Sequence, residues 1–214
     1  MVPSPTAPPS ASLLDLAPVI PVVVLDDAAD AVPLARALVT GGLPVIEVTL
    51  RTAAAPDAIR AIADEVPEAV VGAGTVVTPE QASGAVEAGA RFLVSPGCTD
   101  RLLEAMREQG VPALPGATTP SEVIALLERG VTEMKFFPAE AAGGTAYLRS
   151  LAAPLPQVRF CPTGGIQEAA AAEYLALPNV GCVGGSWMLP GEALAAGDWP
   201  RIRRLAESAA ALRP

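Results

Sequence analysis

The feature that most constrains this chain is an alternation. Short runs of β-branched and apolar residues recur along it, and each is followed by an Ala- and Leu-rich stretch with helical spacing. The pattern predicts strands over 19–25, 45–50, 69–71, 92–95, 113–114, 133–137, 158–161 and 181–183. Helices are predicted near 30–39, 55–63, 80–87, 101–109, 120–128, 145–152, 167–175 and 201–212. Thr78-Pro79-Glu80, Thr119-Pro120 and Asp100 read as helix starts. Gly41-Gly42, Gly89, Gly110 and Gly130 stand where a helix wants a left-handed end. Eight β/α units in 214 residues, about 27 residues each, predict an α/β fold, a (β/α)8 TIM barrel in a single domain. A doubly wound sheet would show fewer units and an early dinucleotide fingerprint. Gly72-Ala73-Gly74-Thr75 lacks the third glycine of that fingerprint and follows the third strand, not the first. The barrel is expected over 12–214, after a flexible Pro-rich tail over 1–11.

Composition then removes classes of function. A net charge of −9 repels phosphate backbones and anionic lipid, so neither nucleic acid nor membrane is expected as a partner, and a small anion must find a local site. No apolar run reaches the roughly 18–20 residues of a membrane span. Residues 1–11 have neither the basic start nor the apolar core of a signal peptide. Cys98, Cys161 and Cys182 show no metal-ligand spacing. Together these features lead us to expect a cytoplasmic chain with reduced thiols.

The chain has no histidine. A Ser-His-Asp triad, a Cys-His dyad and a His-ligated metal are thereby excluded, and no metal is expected. A general base must be a carboxylate, Lys, Tyr, Cys or water. Against 13 arginines there is one lysine, Lys135. A guanidinium stays protonated, whereas an amine that loses its proton is a nucleophile.

In a barrel strand alternate residues face the interior. Lys135 shares a face with Glu133 and Phe137, and Glu47 shares one with Val45 and Thr49. An inward assignment puts Lys135 and Glu47 in the interior near the C-terminal mouth, with Glu133 one layer lower in a structural role. Lys135 sits among Met134, Phe136, Phe137 and Pro138, where a neutral amine can attack a carbonyl to form a Schiff base. The plain alternative is a lysine snorkelling at a strand end. Glu47, in an otherwise uncharged strand, must be paired or protonated. It suits proton transfer to an imine, or else a structural ion pair with Arg51 or Lys135. Arg51 can fork onto a carboxylate or lie free in a loop. Thr163-Gly164-Gly165 follows the seventh expected strand and Gly184-Gly185-Ser186 the eighth, the positions where many barrels bind phosphate through backbone N–H groups.

These residues resemble the 2-keto-3-deoxy-6-phosphogluconate (KDPG) and 4-hydroxy-2-oxoglutarate (KHG) aldolase family. The markers are Glu47-Val48-Thr49-Leu50-Arg51-Thr52, Gly72-Ala73-Gly74-Thr75, Ser95-Pro96-Gly97, Lys135-Phe136-Phe137-Pro138-Ala139-Glu140, Cys161-Pro162-Thr163-Gly164-Gly165-Ile166 and Gly184-Gly185-Ser186-Trp187. The resemblance implies a class I aldolase, homotrimeric and free of metal or cofactor, acting on a keto-acid phosphate in the Entner-Doudoroff pathway. It implies Lys135 as the Schiff-base lysine and Glu47 as proton carrier. Arg51, Thr75, Pro96 and Phe137 would serve the pyruvate end, and Thr163, Gly164, Gly165 and Ser186 the phosphate. Arg51, Thr163 and Trp187 resemble the gluconate enzymes more than those of the galactonate epimer. Departures are Cys98 after Gly97 and the pair Asp26-Asp27, which bears on secondary substrates. The competing readings are an aldolase for the galactonate epimer and a non-catalytic sugar-phosphate-binding barrel.

Overall fold

A computed structural model describes residues 12–212. The tail expected over 1–11 lies outside the described residues. The strands are β1 (Val19–Val23), β2 (Val45–Thr49), β3 (Val70–Gly74), β4 (Leu93–Val94), β5 (Ala113–Leu114), β6 (Gly116–Ala117), β7 (Glu133–Phe136), β8 (Arg159–Pro162) and β9 (Val183–Gly185). Helices α1 (Ala31–Thr40), α2 (Ala55–Glu65), α3 (Pro79–Glu87), α4 (Asp100–Glu108), α5 (Pro120–Glu128), α6 (Gly144–Ala152), α7 (Glu168–Leu175), α8 (Gly191–Ala195) and α9 (Trp199–Ala210) occupy the intervals between strands and the C-terminal end. Strand pairing is parallel throughout. The result is a curled α/β sheet in two sections, ordered β5-β4-β3-β2-β1-β9 and β6-β7-β8.

The break between sections has a local cause. Pro115, between β5 and β6, has no N–H to give a ladder. Its carbonyl accepts from the Lys135 N–H at 3.0 Å, and the Ser95 hydroxyl accepts from the Gly116 N–H at 3.3 Å. The fifth expected strand is therefore two pieces. At the other junction, Phe160 bridges to Val180 and Thr163 to Gly184.

Several expected boundaries move. The third strand runs on through Gly74, so Gly72, Ala73 and Gly74 lie inside the sheet and not in a loop after it. They pair with Glu47, Val48 and Thr49 of β2. The last strand also shifts toward the C-terminus, taking Gly184 and Gly185 into β9. Both runs look like turns by composition, but ladder hydrogen bonds need only backbone. α4 is capped by the Thr99 hydroxyl, with Asp100 as its first residue. α9 starts at Trp199 behind an Asp198 cap, and α8 had no counterpart in the sequence pattern. Thr78 and Thr119 each close a reciprocal capping box with Pro at the helix start, which fixes where α3 and α5 begin. Gly42, Gly89, Gly110 and Gly130 do take positive φ, whereas Gly41 does not.

The core is continuous, from the strand interiors to the inner faces of the helices. The end opposite the C-terminal rim is closed by a short 3-10 helix, Leu13–Asp15, whose Leu13 and Leu14 are buried. Arg159 ties that end together, reaching Asp15 at 2.5 Å and Glu133 at 3.2 Å. Glu133 also accepts from the Ser12 hydroxyl at 2.5 Å, the structural role expected of it. Among the described residues no helix is long and apolar enough to cross a membrane.

Candidate active site

β2 and β7 belong to different sheet sections, yet each directs one charged side chain into the same interior. Lys135 Nζ lies 3.1 Å from Glu47 Oε1, with the two residues 5% and 2% exposed. A buried charge is tolerated when a partner compensates it, and here each supplies the other's. Of the two pairings open to Glu47, the structure forms the one with Lys135. The carboxylate has room only because position 74 is glycine. A Cβ there would stand 2.1 Å from Glu47 Oε1. The Phe137 ring centroid is 5.4 Å from Nζ, and so adds a cation–π contact above the amine.

Above this pair opens a cavity of about 240 Å³, walled by Lys135, Phe137, Arg51, Thr163, Gly164, Gly165 and Ser186 among others. Seven of the ten expected site residues thus meet at one opening. Glu47 lies beneath it, hydrogen-bonded to Lys135. Thr75 and Pro96 follow β3 and β4 at the same rim without lining the cavity. Thr75 has φ 60°, and apart from glycine it is the one described residue with positive φ. Strain of that kind gathers at functional sites. Arg51 is exposed at the cavity edge and forms no ion pair among the described residues, so its guanidinium is open to an anion.

The glycine turn after β8 forms the opposite wall. Gly164 and Gly165 both take positive φ, 108° and 82°, which side chains resist. Among the described residues, the N–H groups of Gly165 and Ile166 meet no backbone acceptor. Thr163 is buried, its hydroxyl 3.4 Å from the Cys161 carbonyl. Val22, Val24, Ile166 and Gln167 also line the cavity and were not singled out from sequence. Val22 pairs in register with Glu47, so β1–β2 register was the signal that could have found it. Asp27, four residues past β1, accepts from the Ala29 N–H at 2.9 Å and caps the turn there, and so has a local structural use.

Rival nucleophiles are poorly placed. Burial pushes the Cys98 thiol up to about 11, against a smaller opposing pull from a hydrogen bond with Ser95. A hydrogen bond with Cys161, which keeps the Cys182 S–H protonated, and then burial hold Cys182 well above the ordinary thiol range. A roomier cavity of about 380 Å³ lies between α2 and α3, lined by Leu50, Pro56, Gln81 and Gly84 among others, and holds no amine or thiol. Among the described residues no group of three or more His, Cys, Asp or Glu is arranged to hold a metal ion.

An amine paired with a carboxylate, buried at the floor of an open cavity in a curled α/β sheet, is the equipment of the class I aldolases. Comparison with known proteins gives the particular family. The family model for KDPG and KHG aldolase matches residues 11–205, and the chain belongs to that family. The KHG/KDPG aldolase of Escherichia coli is 55% identical over 198 residues, covering 92% of this chain and 93% of that one. The solved structure of KDPG aldolase from Legionella pneumophila, with pyruvate captured at low pH as a covalent carbinolamine intermediate, superposes with a TM-score of 0.90. It is 47% identical and covers 92% of this chain and 96% of its own. The Zymomonas mobilis ZM4 enzyme, solved with 3-phosphoglycerate, gives a TM-score of 0.88 at 48% identity, covering 94% of both chains.

Proposed function

We propose that this chain cleaves KDPG to pyruvate and glyceraldehyde 3-phosphate through a Schiff base on Lys135, and KHG to pyruvate and glyoxylate by the same route. The observation that carries the reading is the buried Lys135–Glu47 pair, 3.1 Å apart beneath the cavity. The relatives' names and the carbinolamine in the Legionella structure support it.

The steps follow from the placement. Glu47 takes the proton from Nζ, and the free amine attacks the C2 ketone to give a carbinolamine. Glu47 returns the proton to the departing hydroxyl, which leaves as water, and an iminium forms. The iminium is an electron sink. Glu47, directly or through a water, removes the C4 hydroxyl proton, and the C3–C4 bond breaks to release the aldehyde. The remaining enamine is protonated at C3 by Glu47, and hydrolysis frees pyruvate. Arg51 holds the substrate carboxylate as an ion pair. Thr75 and Pro96 shape that end, and Phe137 covers the amine. Gly164, Gly165 and Ser186, with Thr163 beside them, hold the phosphate through backbone N–H groups and a hydroxyl. Phosphate held far from the scissile bond orients it. The 55% identity to a KHG/KDPG aldolase favours the gluconate substrate over its galactonate epimer.

Three further readings belong to this proposal. The two sheet sections form one closed eight-stranded barrel, with β5 and β6 as halves of a strand interrupted at Pro115 and the bridges at Phe160 and Thr163 closing the seam. The working form is a cytoplasmic homotrimer, as the family resemblance implies. The reaction needs no metal, the amine supplying the electron sink.

The test is borohydride reduction in the presence of pyruvate, with peptide mapping. A stable adduct on Lys135, together with cleavage of KDPG, is expected. Cleavage without a trapped adduct, or activity lost to chelation and restored only by a divalent ion, overturns the mechanism.

A further inference from the structure

Behind the glycine turn, outside the cavity, stands a contact that the chemistry above does not use. Glu140 follows β7. Its N–H donates to the Gly164 carbonyl at 3.0 Å, and the neighbouring Ala139 N–H donates to the Thr163 carbonyl at 2.8 Å. Gly165 lies so near the Glu140 stem that a Cβ on Gly165 would stand 2.9 Å from both Cβ and Cγ of Glu140. The Glu140 carboxylate accepts from the Tyr174 hydroxyl at 2.6 Å. Tyr174 is buried in α7, which begins at Glu168 just beyond the turn. Burial, and then Glu140 itself, pushes the phenol well above its ordinary range, so its O–H remains a donor.

The turn needs such support. Gly164 and Gly165 have no side chains to fix them, and glycine is the residue with the most conformations to lose. Ordering that turn only when ligand arrives would subtract from binding, and preorganisation removes the subtraction. The backbone bonds from Ala139 and Glu140 fasten the start of the turn to the end of β7. The Tyr174–Glu140 bond fastens the same segment to α7, on the turn's far side. We propose that Tyr174 and Glu140 are positioning residues, a latch that holds the Thr163–Gly165 turn in its phosphate-binding shape and so sets the preference for phosphorylated over unphosphorylated keto acids. This rests on the phosphate site assigned under Proposed function.

The test compares KM and kcat for KDPG and for KHG in the wild type and in Tyr174→Phe, Glu140→Ala and Glu140→Gln. Tyr174→Phe and Glu140→Ala are expected to raise KM for KDPG about tenfold. For both, kcat and the KHG constants should stay within about twofold of wild type. Glu140→Gln keeps an acceptor oxygen for the phenol and should restore most of the KDPG affinity. Equal losses on both substrates, or no change in either, overturn the latch. If Tyr174→Phe fails to fold, the exposed Glu140 variants decide the question alone. A wild type that cleaves no KDPG overturns the functional reading itself. A wild type that cleaves KDPG, with variants unchanged, overturns only the latch.

Discussion

Lys135 and Glu47 stand 88 residues apart in the chain and 3.1 Å apart in the fold, Nζ against Oε1, with both side chains buried. β7 delivers one and β2 the other, so the pair depends on strands from both sheet sections. Its geometry serves two purposes. Each charge compensates the other's burial, and a proton can pass between the two atoms without water. Removing one member while leaving the other buried costs about 3–5 kcal/mol.

Lys135→Arg keeps a cation opposite Glu47 but has no nucleophile. Turnover should fall by about a thousandfold or more, with the circular dichroism spectrum unchanged and no pyruvate adduct trapped by borohydride. Residual activity within about tenfold of wild type is incompatible with a Schiff base at this position.

Gly74→Ala places a methyl group where Glu47 Oε1 now lies, since a Cβ there would be 2.1 Å from that oxygen. The carboxylate must turn away from Nζ. We expect kcat to drop by about a hundredfold or more, with KM changed much less, because proton transfer and not binding is disturbed. Steady-state kinetics check this, and an unchanged kcat means that Glu47 reaches Lys135 by another route.

Ser186→Asp puts a carboxylate on the cavity wall beside the glycine turn, where Ser186 is exposed to the opening. Repulsion of the phosphate dianion should lower kcat/KM for KDPG by about a hundredfold, or about 2.7 kcal/mol. KHG, held at the Arg51 end, should lose much less. Equal losses on the two substrates would move the phosphate site elsewhere.

Glu122 accepts from the N–H groups of Thr119 at 2.7 Å and Thr118 at 2.9 Å. These bonds, Thr119's first, lower its carboxyl below the ordinary range. The unfolded chain therefore binds the proton more readily. The stabilisation is full above the unfolded carboxylate range and is lost as pH falls through the lowered folded value. Glu122→Gln keeps the capping box without the charge. Its thermal midpoint should lie below wild type near neutral pH, and the gap should close as pH falls through the lowered carboxyl range, the difference staying under about 0.5 kcal/mol because the site is exposed. A gap that widens on acidification reverses the assigned sign.

Much of this site was legible along the chain. The single lysine within Met134-Lys135-Phe136-Phe137, the lone acid of Val45–Thr49 and the absence of histidine together pointed to amine chemistry. Strand alternation placed Lys135 and Glu47 inward because side chains on a strand repeat every second residue, whatever the strand pairs with. Capping chemistry located the starts of α3 and α5 for the same reason: those interactions span only a few residues. What stayed hidden was long-range. Only tertiary pairing puts Gly74 against the Glu47 carboxylate and carries the glycines of β3 and β9 into the sheet. Pro115 divides a strand only where neighbours on both sides compete for the backbone beside it. Glu140 and Tyr174, 34 residues apart, look like a loop acid and a helix aromatic until α7 packs behind the turn. Local periodicity fixes which face a residue takes; what it meets there depends on contacts between segments whose separation in sequence carries no information about their distance in space.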